Sequence, residues 1–201
     1  MKNKNNEAKW NEDLIKKLQE DFKEPNIRIA KGKVLRDIYI THEKCGFKLQ
    51  LGFFDQDIII YTDTMDISDY YEVTNIKIHN TGKKKEIYIP RIICELKYDG
   101  INTHGLITYS DIASDVKSIF PLCKYILLLR YKNNSSDDKL LRNGKTFDKI
   151  LCFDDGASKN NYNEGDFKKE LKNNKELQKK YKELLNYFKN TMKKSHTHFT
   201  K

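Results

Sequence analysis

Long apolar runs are missing from this chain. Its strongest, such as Tyr125-Ile126-Leu127-Leu128-Leu129, last a few residues, far short of the ~20 that cross a bilayer. The first thirty residues hold no apolar core of the kind that opens a secretory leader. The expectation is therefore a soluble, cytoplasmic protein with no membrane partner. Cysteine is sparse too: Cys45, Cys94, Cys123 and Cys152 form no Cys-x-x-Cys pair. Three of them, Cys94, Cys123 and Cys152, lie in or beside apolar runs, where a free thiol packs as a small hydrophobe. That argues for a reducing compartment and against a zinc site or a disulfide framework. Internal repeats are absent. Proline occurs only three times, and two of the three read as helix stops.

What the chain does hold is charge and aromatic bulk. Lys and Arg number 38 against 29 Asp and Glu, for a net charge of +9 and a pI near 9.2. That sign favours a polyanionic partner, nucleic acid first. Twelve Tyr and ten Phe argue against disorder. A length of 201 residues fits one domain over 1–201.

Periodicity orders the elements. Trp10, Leu14, Leu18 and Phe22 recur every four residues and predict a helix over 10–23, ended by Pro25. A basic connection, Arg28 to Arg36, follows. Phe47, Leu49, Leu51 and Phe53 alternate as a strand with one wet face, and Asp57 to Tyr61 reads as a second, buried strand. An acidic connection (Thr62 to Glu72) leads to a hairpin with arms Val73–His79 and Glu86–Ile89 around Asn80-Thr81-Gly82. Pro90 to Tyr98 is a further strand. Tyr109 to Phe120 has the spacing of an amphipathic helix, stopped by Pro121, and Tyr125–Arg130 is a strand. Residues 133–145 read as a loop, 147–153 as a strand, 154–165 as a loop, and 166–192 as a lysine-rich helix. This order predicts an α/β fold, a central mixed sheet flanked by helices.

The chemistry concentrates at Glu95-Leu96-Lys97. Side chains alternate along a strand, so Glu95 and Lys97 share one face. A carboxylate and an ammonium at the end of an apolar run are costly unless they pair or bind something. A carboxylate able to hold a divalent cation beside a lysine able to orient water suits metal-assisted phosphodiester hydrolysis. The plainer reading is a structural ion pair.

The order of elements, with Glu-x-Lys on the central strand and an acid opening the strand before it, resembles the PD-(D/E)XK nuclease superfamily and, more narrowly, a type II restriction endonuclease. The resemblance runs over Ile89 to Gly100, Thr103-His104 and Tyr109 to Pro121, within a core of about 45–153. It implies a restriction-endonuclease-like core, catalysis by Asp57, Glu95 and Lys97, and Mg²⁺ held by Asp57, Glu95 and the Leu96 carbonyl. Asp55 is an alternative first acid that would share Asp57's face if the strand extends that far. Gln56 stands where the family's proline would be. Glu20 matches a position where some members add a carboxylate, and His104 could lie near the phosphate, although a loop histidine or helix cap is the plainer reading. Lys83, Lys84 and Lys85 at the hairpin tip, with Arg28 and Lys31, are the expected DNA contacts. The resemblance further implies a double-stranded DNA partner, a homodimer, and a functionally associated methyltransferase. Alternatives are a junction resolvase, a catalytically inactive DNA-binding module on the same scaffold, and a basic protein that binds other proteins.

Overall fold

The computed structural model describes residues 2–24, 26–44, 46–62, 78–80, 83–85, 89–133, 135–153 and 161–197. Along them run α1 (Lys2–Asp21), β1 (Ile27–Glu43), β2 (Gly46–Thr62), β3 (Ile78–Asn80), β4 (Lys83–Lys85), β5 (Pro90–Lys97), α2 (Thr103–Ile119), β6 (Lys124–Leu129), α3 (Asp137–Asn143), β7 (Lys149–Cys152), α4 (Asp166–Asn173) and α5 (Lys175–Thr197). Five strands form one mixed sheet in the order β1-β2-β5-β6-β7, and β3 pairs with β4 apart from it. β1, β2 and β5 are antiparallel neighbours, while β5, β6 and β7 run parallel. Parallel neighbours need crossovers, and α2 and α3 supply them. The mixed α/β architecture expected from the element order is the one the chain adopts.

The alternation of side chains divides the sheet into two apolar faces. Ile58, Ile60, Ile92, Cys94 and Leu96 pack against Trp10, Leu14 and Leu18 of α1 and against Phe167, Leu184 and Phe188 of α4 and α5. Ile59, Ile93, Leu127 and Leu129 pack against Leu106, Ala113 and Val116 of α2 and Leu140 of α3. Each such side chain taken out of water contributes about 1.5–3 kcal/mol. Gly100, just after β5, is required by contact: a Cβ there would meet the Asn133 carbonyl oxygen at 1.4 Å. That close approach, with Ile101 N–H donating to Ser135 Oγ at 2.6 Å, fixes how the chain leaves β5.

Three stretches differ from the sequence reading. Residues 28–36 lie inside β1, a strand whose pairing shifts register between Ala30 and Gly32 and between Leu35 and Asp37. Each shift breaks the period of two, so the stretch reads as a connection. The two strands expected around 47–61 are one continuous β2. Residues 137–143 form α3, capped by Ser136 accepting from Lys139 N–H and opened by Asp137 and Asp138; one buried side chain, Leu140, is too few for a period to show. The C-terminal helix is two helices, because Asn174 ends α4 and its Oδ1 caps Leu177 N–H in α5. The expected hairpin exists as Ile78–Asn80 against Lys83–Lys85, so the three lysines stand in an arm. The outer portions predicted for that hairpin, 73–77 and 86–88, the acidic connection from 63 onward and residues 154–160 lie outside the described residues. Among the described residues no helix is long and apolar enough to cross a membrane.

Candidate active site

The site forms where β2 and β5 part company. Ile58 pairs with Cys94 and Ile59 with Ile93, so the next step along both strands sets Asp57 level with Glu95. Against β1, Gln56 is paired with Gly32 and Ile59 with Ala30. Asp57 and Ile58 thus oppose the single residue Lys31: β2 carries a bulge at Asp57. Bulges re-aim a side chain next to the residues they interrupt. Here the bulge gives the Asp57 carboxylate two fixed donors, Leu96 N–H to Oδ2 at 2.9 Å and Asn11 Nδ2 to Oδ1 at 3.0 Å.

Glu95 is buried, 6% exposed, on the α2 side of the sheet. Burial pushes its carboxyl up to about 7 against the pull of Lys97, with Asp57 adding to the rise. Lys97 Nζ donates to Glu95 Oε1 at 2.8 Å and lies 3.6 Å from Glu7 Oε1. The Tyr109 ring of α2 covers the ammonium, its centroid 4.5 Å from Nζ. Burial disfavours the Lys97 charge, but Glu95 and Glu7 outweigh it and hold its pKa above the ordinary lysine value.

Two members of this cluster were missed in the sequence. Glu7 flanks Lys97, and its Oε2 accepts from Tyr98 N–H at 3.3 Å. Asn11, one turn on along α1, holds Asp57. Reading the helix from Trp10 left Glu7 outside it. No glycine or proline stands between Met1 and Trp10, and extending the helix upstream would have put Glu7 and Asn11 on one face.

The other candidates are placed elsewhere. Glu20 is exposed near the opposite end of α1, taking Lys168 Nζ at 3.1 Å on both oxygens and Lys17 at 3.7 Å; the carboxylate that α1 brings to Lys97 is Glu7. Asp55 is exposed and lies 3.8 Å from Lys33 on the neighbouring β1, while Gln56 accepts from Tyr125 O–H at 2.7 Å in the α2-side core. His104 is exposed in the first turn of α2, its carbonyl accepting from Thr108 Oγ1 at 3.0 Å. Arg28 and Lys31 are exposed on β1.

The donor set suits a hard divalent cation. The Lys97 carbonyl accepts from Arg130 N–H, just past the end of β6, so the adjacent Leu96 turns its backbone groups toward β2, where its N–H meets Asp57. Asp57, Glu95 and the Leu96 carbonyl therefore converge on one strand edge. Asn11 Oδ1 is buried and, among the described residues, accepts no hydrogen bond, and the nearby Asp57 charge adds to the rise of the Glu95 carboxyl. A cation with retained waters answers both needs. Among the described residues no three His, Cys, Asp or Glu side chains are grouped as a metal site, so the fit rests on two carboxylates and a backbone oxygen.

Fold and cluster together define an α/β chain with an acid–acid–lysine constellation at the edge of its central strand. No protein-family model matches the chain, and no curated protein does. Among solved structures it is similar to a chain of native BbvCI in an A2B2 tetramer. The TM-score is 0.45 at 16% identity, covering 65% of this chain and 47% of that one. The chain thus spans about half the length of the structure it matches. The likeness is distant.

Proposed function

We propose that this protein is a Mg²⁺-dependent, site-specific endonuclease that hydrolyses phosphodiester bonds of double-stranded DNA. The supporting observation is Asp57 level with Glu95 on adjacent strands, with Lys97 one alternation further on the same face. Asp57, Glu95 and the Leu96 carbonyl would hold Mg²⁺, which when bound polarises the scissile phosphate and acidifies a water. The protein's own groups do the rest. Asn11 and Leu96 N–H fix the orientation of Asp57, as second partners do for ligating carboxylates. Lys97 has three N–H donors; Glu95 takes one and Glu7 lies along another. Tyr109 engages the ammonium as well; in this reading Lys97 orients the attacking water and offsets the charge that builds on the phosphorane-like transition state. Arg28, Lys31 and Lys83 to Lys85 contribute phosphate contacts, which raise affinity without reading sequence. A palindromic target would be cut by a two-fold dimer, and a site-specific nuclease acting in the cytoplasm needs a companion methyltransferase to protect host DNA.

Incubation with unmethylated phage DNA tests this reading. Discrete fragments with Mg²⁺, and none with EDTA, are expected. Intact DNA in Mg²⁺ contradicts the endonuclease, and a smear without fixed ends contradicts site specificity.

A further inference from the structure

Lys97 is held from three elements. Glu95 of β5 accepts from its Nζ at 2.8 Å, Glu7 Oε1 of α1 lies 3.6 Å away, and the Tyr109 ring of α2 covers it with its centroid at 4.5 Å. The Tyr109 hydroxyl is hydrogen-bonded to the same ammonium. The three N–H donors of a lysine therefore face three oxygen partners. These partners stop being equivalent when the site takes a divalent cation. Such a cation draws carboxylates, carbonyls and waters, so Glu95 is drawn away from Lys97 and Tyr109 is not. The lysine stem is a flexible four-carbon chain that would then need another anchor, whereas a tyrosine is fixed by two torsions. Tyr109 is itself well anchored. It packs half-buried against the α2-side core. Beside it, Ser110 Oγ donates to the Asn143 carbonyl at 2.7 Å and Thr146 Oγ1 donates to the Ser110 carbonyl at 2.6 Å, which fixes how α2 is turned.

We infer that Tyr109 is a positioning residue for the cleavage reaction: it keeps the Lys97 ammonium in place while the donor that faces Glu95 here passes to the attacking water. The inference rests on the nuclease reading and adds to it the residue that aims its lysine. A tyrosine that only filled space on α2 would behave differently, because its loss would weaken the fold by the same amount whether or not Lys97 were present. Tyr109 acting through Lys97 makes the two residues interdependent, and contacting residues show such coupling in a double-mutant cycle.

The cycle is run on the full chain with Tyr109→Leu, Lys97→Ala and the two combined, and with Tyr109→Phe, which keeps the ring, as a milder variant. In steady-state plasmid cutting with Mg²⁺, Tyr109→Leu should lower kcat about 10- to 100-fold, the size expected for a lost hydrogen bond to a charged group, with KM for DNA unchanged. Tyr109→Phe should fall between it and the unmodified chain. In the Lys97→Ala background the change to leucine should slow cutting no further. Thermal melts in EDTA read the same pair without DNA or metal: Tyr109→Leu should lower the melting temperature less when Lys97 is already alanine. Unmodified cutting by Tyr109→Leu, a change in KM alone, or equal losses of rate and melting temperature in both backgrounds would each overturn the inference. An unmodified chain that leaves DNA intact would overturn the nuclease reading, and the inference with it.

Discussion

Glu95 carries the largest electrostatic cost in the site, and that cost depends on pH. In the folded chain it keeps its proton up to about pH 7, against an ordinary 4.5 when exposed. Between those values the folded state binds more protons than the unfolded one, so stability falls as pH rises through the window. Glu95→Gln removes the effect. In EDTA, thermal melts from pH 5 to pH 8 should show the unmodified chain losing stability relative to Glu95→Gln; parallel curves would contradict the burial of an ionisable Glu95. Asn11 acts through Asp57 and not on the reacting atoms. Asn11→Ala should lower Mg²⁺ affinity about 10- to 100-fold, read by calorimetric titration, with little change in melting temperature. At this scale Glu95, Lys97 and Asp57 were legible because strand alternation and an acid opening an apolar run are local patterns. Asn11 and Glu7 were not: what makes them matter is a contact made 46 and 90 positions away, Asn11 to Asp57 and Glu7 to Lys97.

Among elements, α1 links core and site. Trp10 is fully buried between the rings of Tyr98 and Phe153, centroids 6.3 and 6.2 Å away, while Glu7 and Asn11 on the same helix reach Lys97 and Asp57. Trp10→Ala should cost about 3–5 kcal/mol, a fall of roughly 10 °C in melting temperature for a domain of this size. A variant melting within a degree or two of the unmodified chain would show that α1 is not anchored there. The helices and central strands were readable because their apolar spacing is regular. β1 was not, because two register shifts destroy its alternation. The α4–α5 break left a trace in the gap from Leu171 to Leu177, six residues where a continuous stripe steps by three or four.

For the molecule as a whole, the net charge of +9 predicts DNA binding that weakens steeply with salt. Each phosphate contact adds about 0.9 to the slope of log affinity against log salt. Replacing Lys83, Lys84 and Lys85 by alanine should reduce that slope by up to about 2.7, measured by fluorescence anisotropy on a duplex; an unchanged slope would remove β4 from the DNA-facing surface. Element order made the α/β class legible. The long β1–β2 ribbon was hidden, since nothing local says that a strand will outrun its neighbour. The most direct test of the Asp57–Glu95–Lys97 constellation is linearisation of a supercoiled plasmid in Mg²⁺ by the unmodified chain and by Asp57→Asn, Glu95→Gln and Lys97→Ala. The predicted result is cutting that drops by about 10²–10³ or more in each variant while gel retardation of the plasmid persists. Cutting at the unmodified rate by Glu95→Gln or Lys97→Ala, or an unmodified chain that binds the plasmid and leaves it intact, would contradict it.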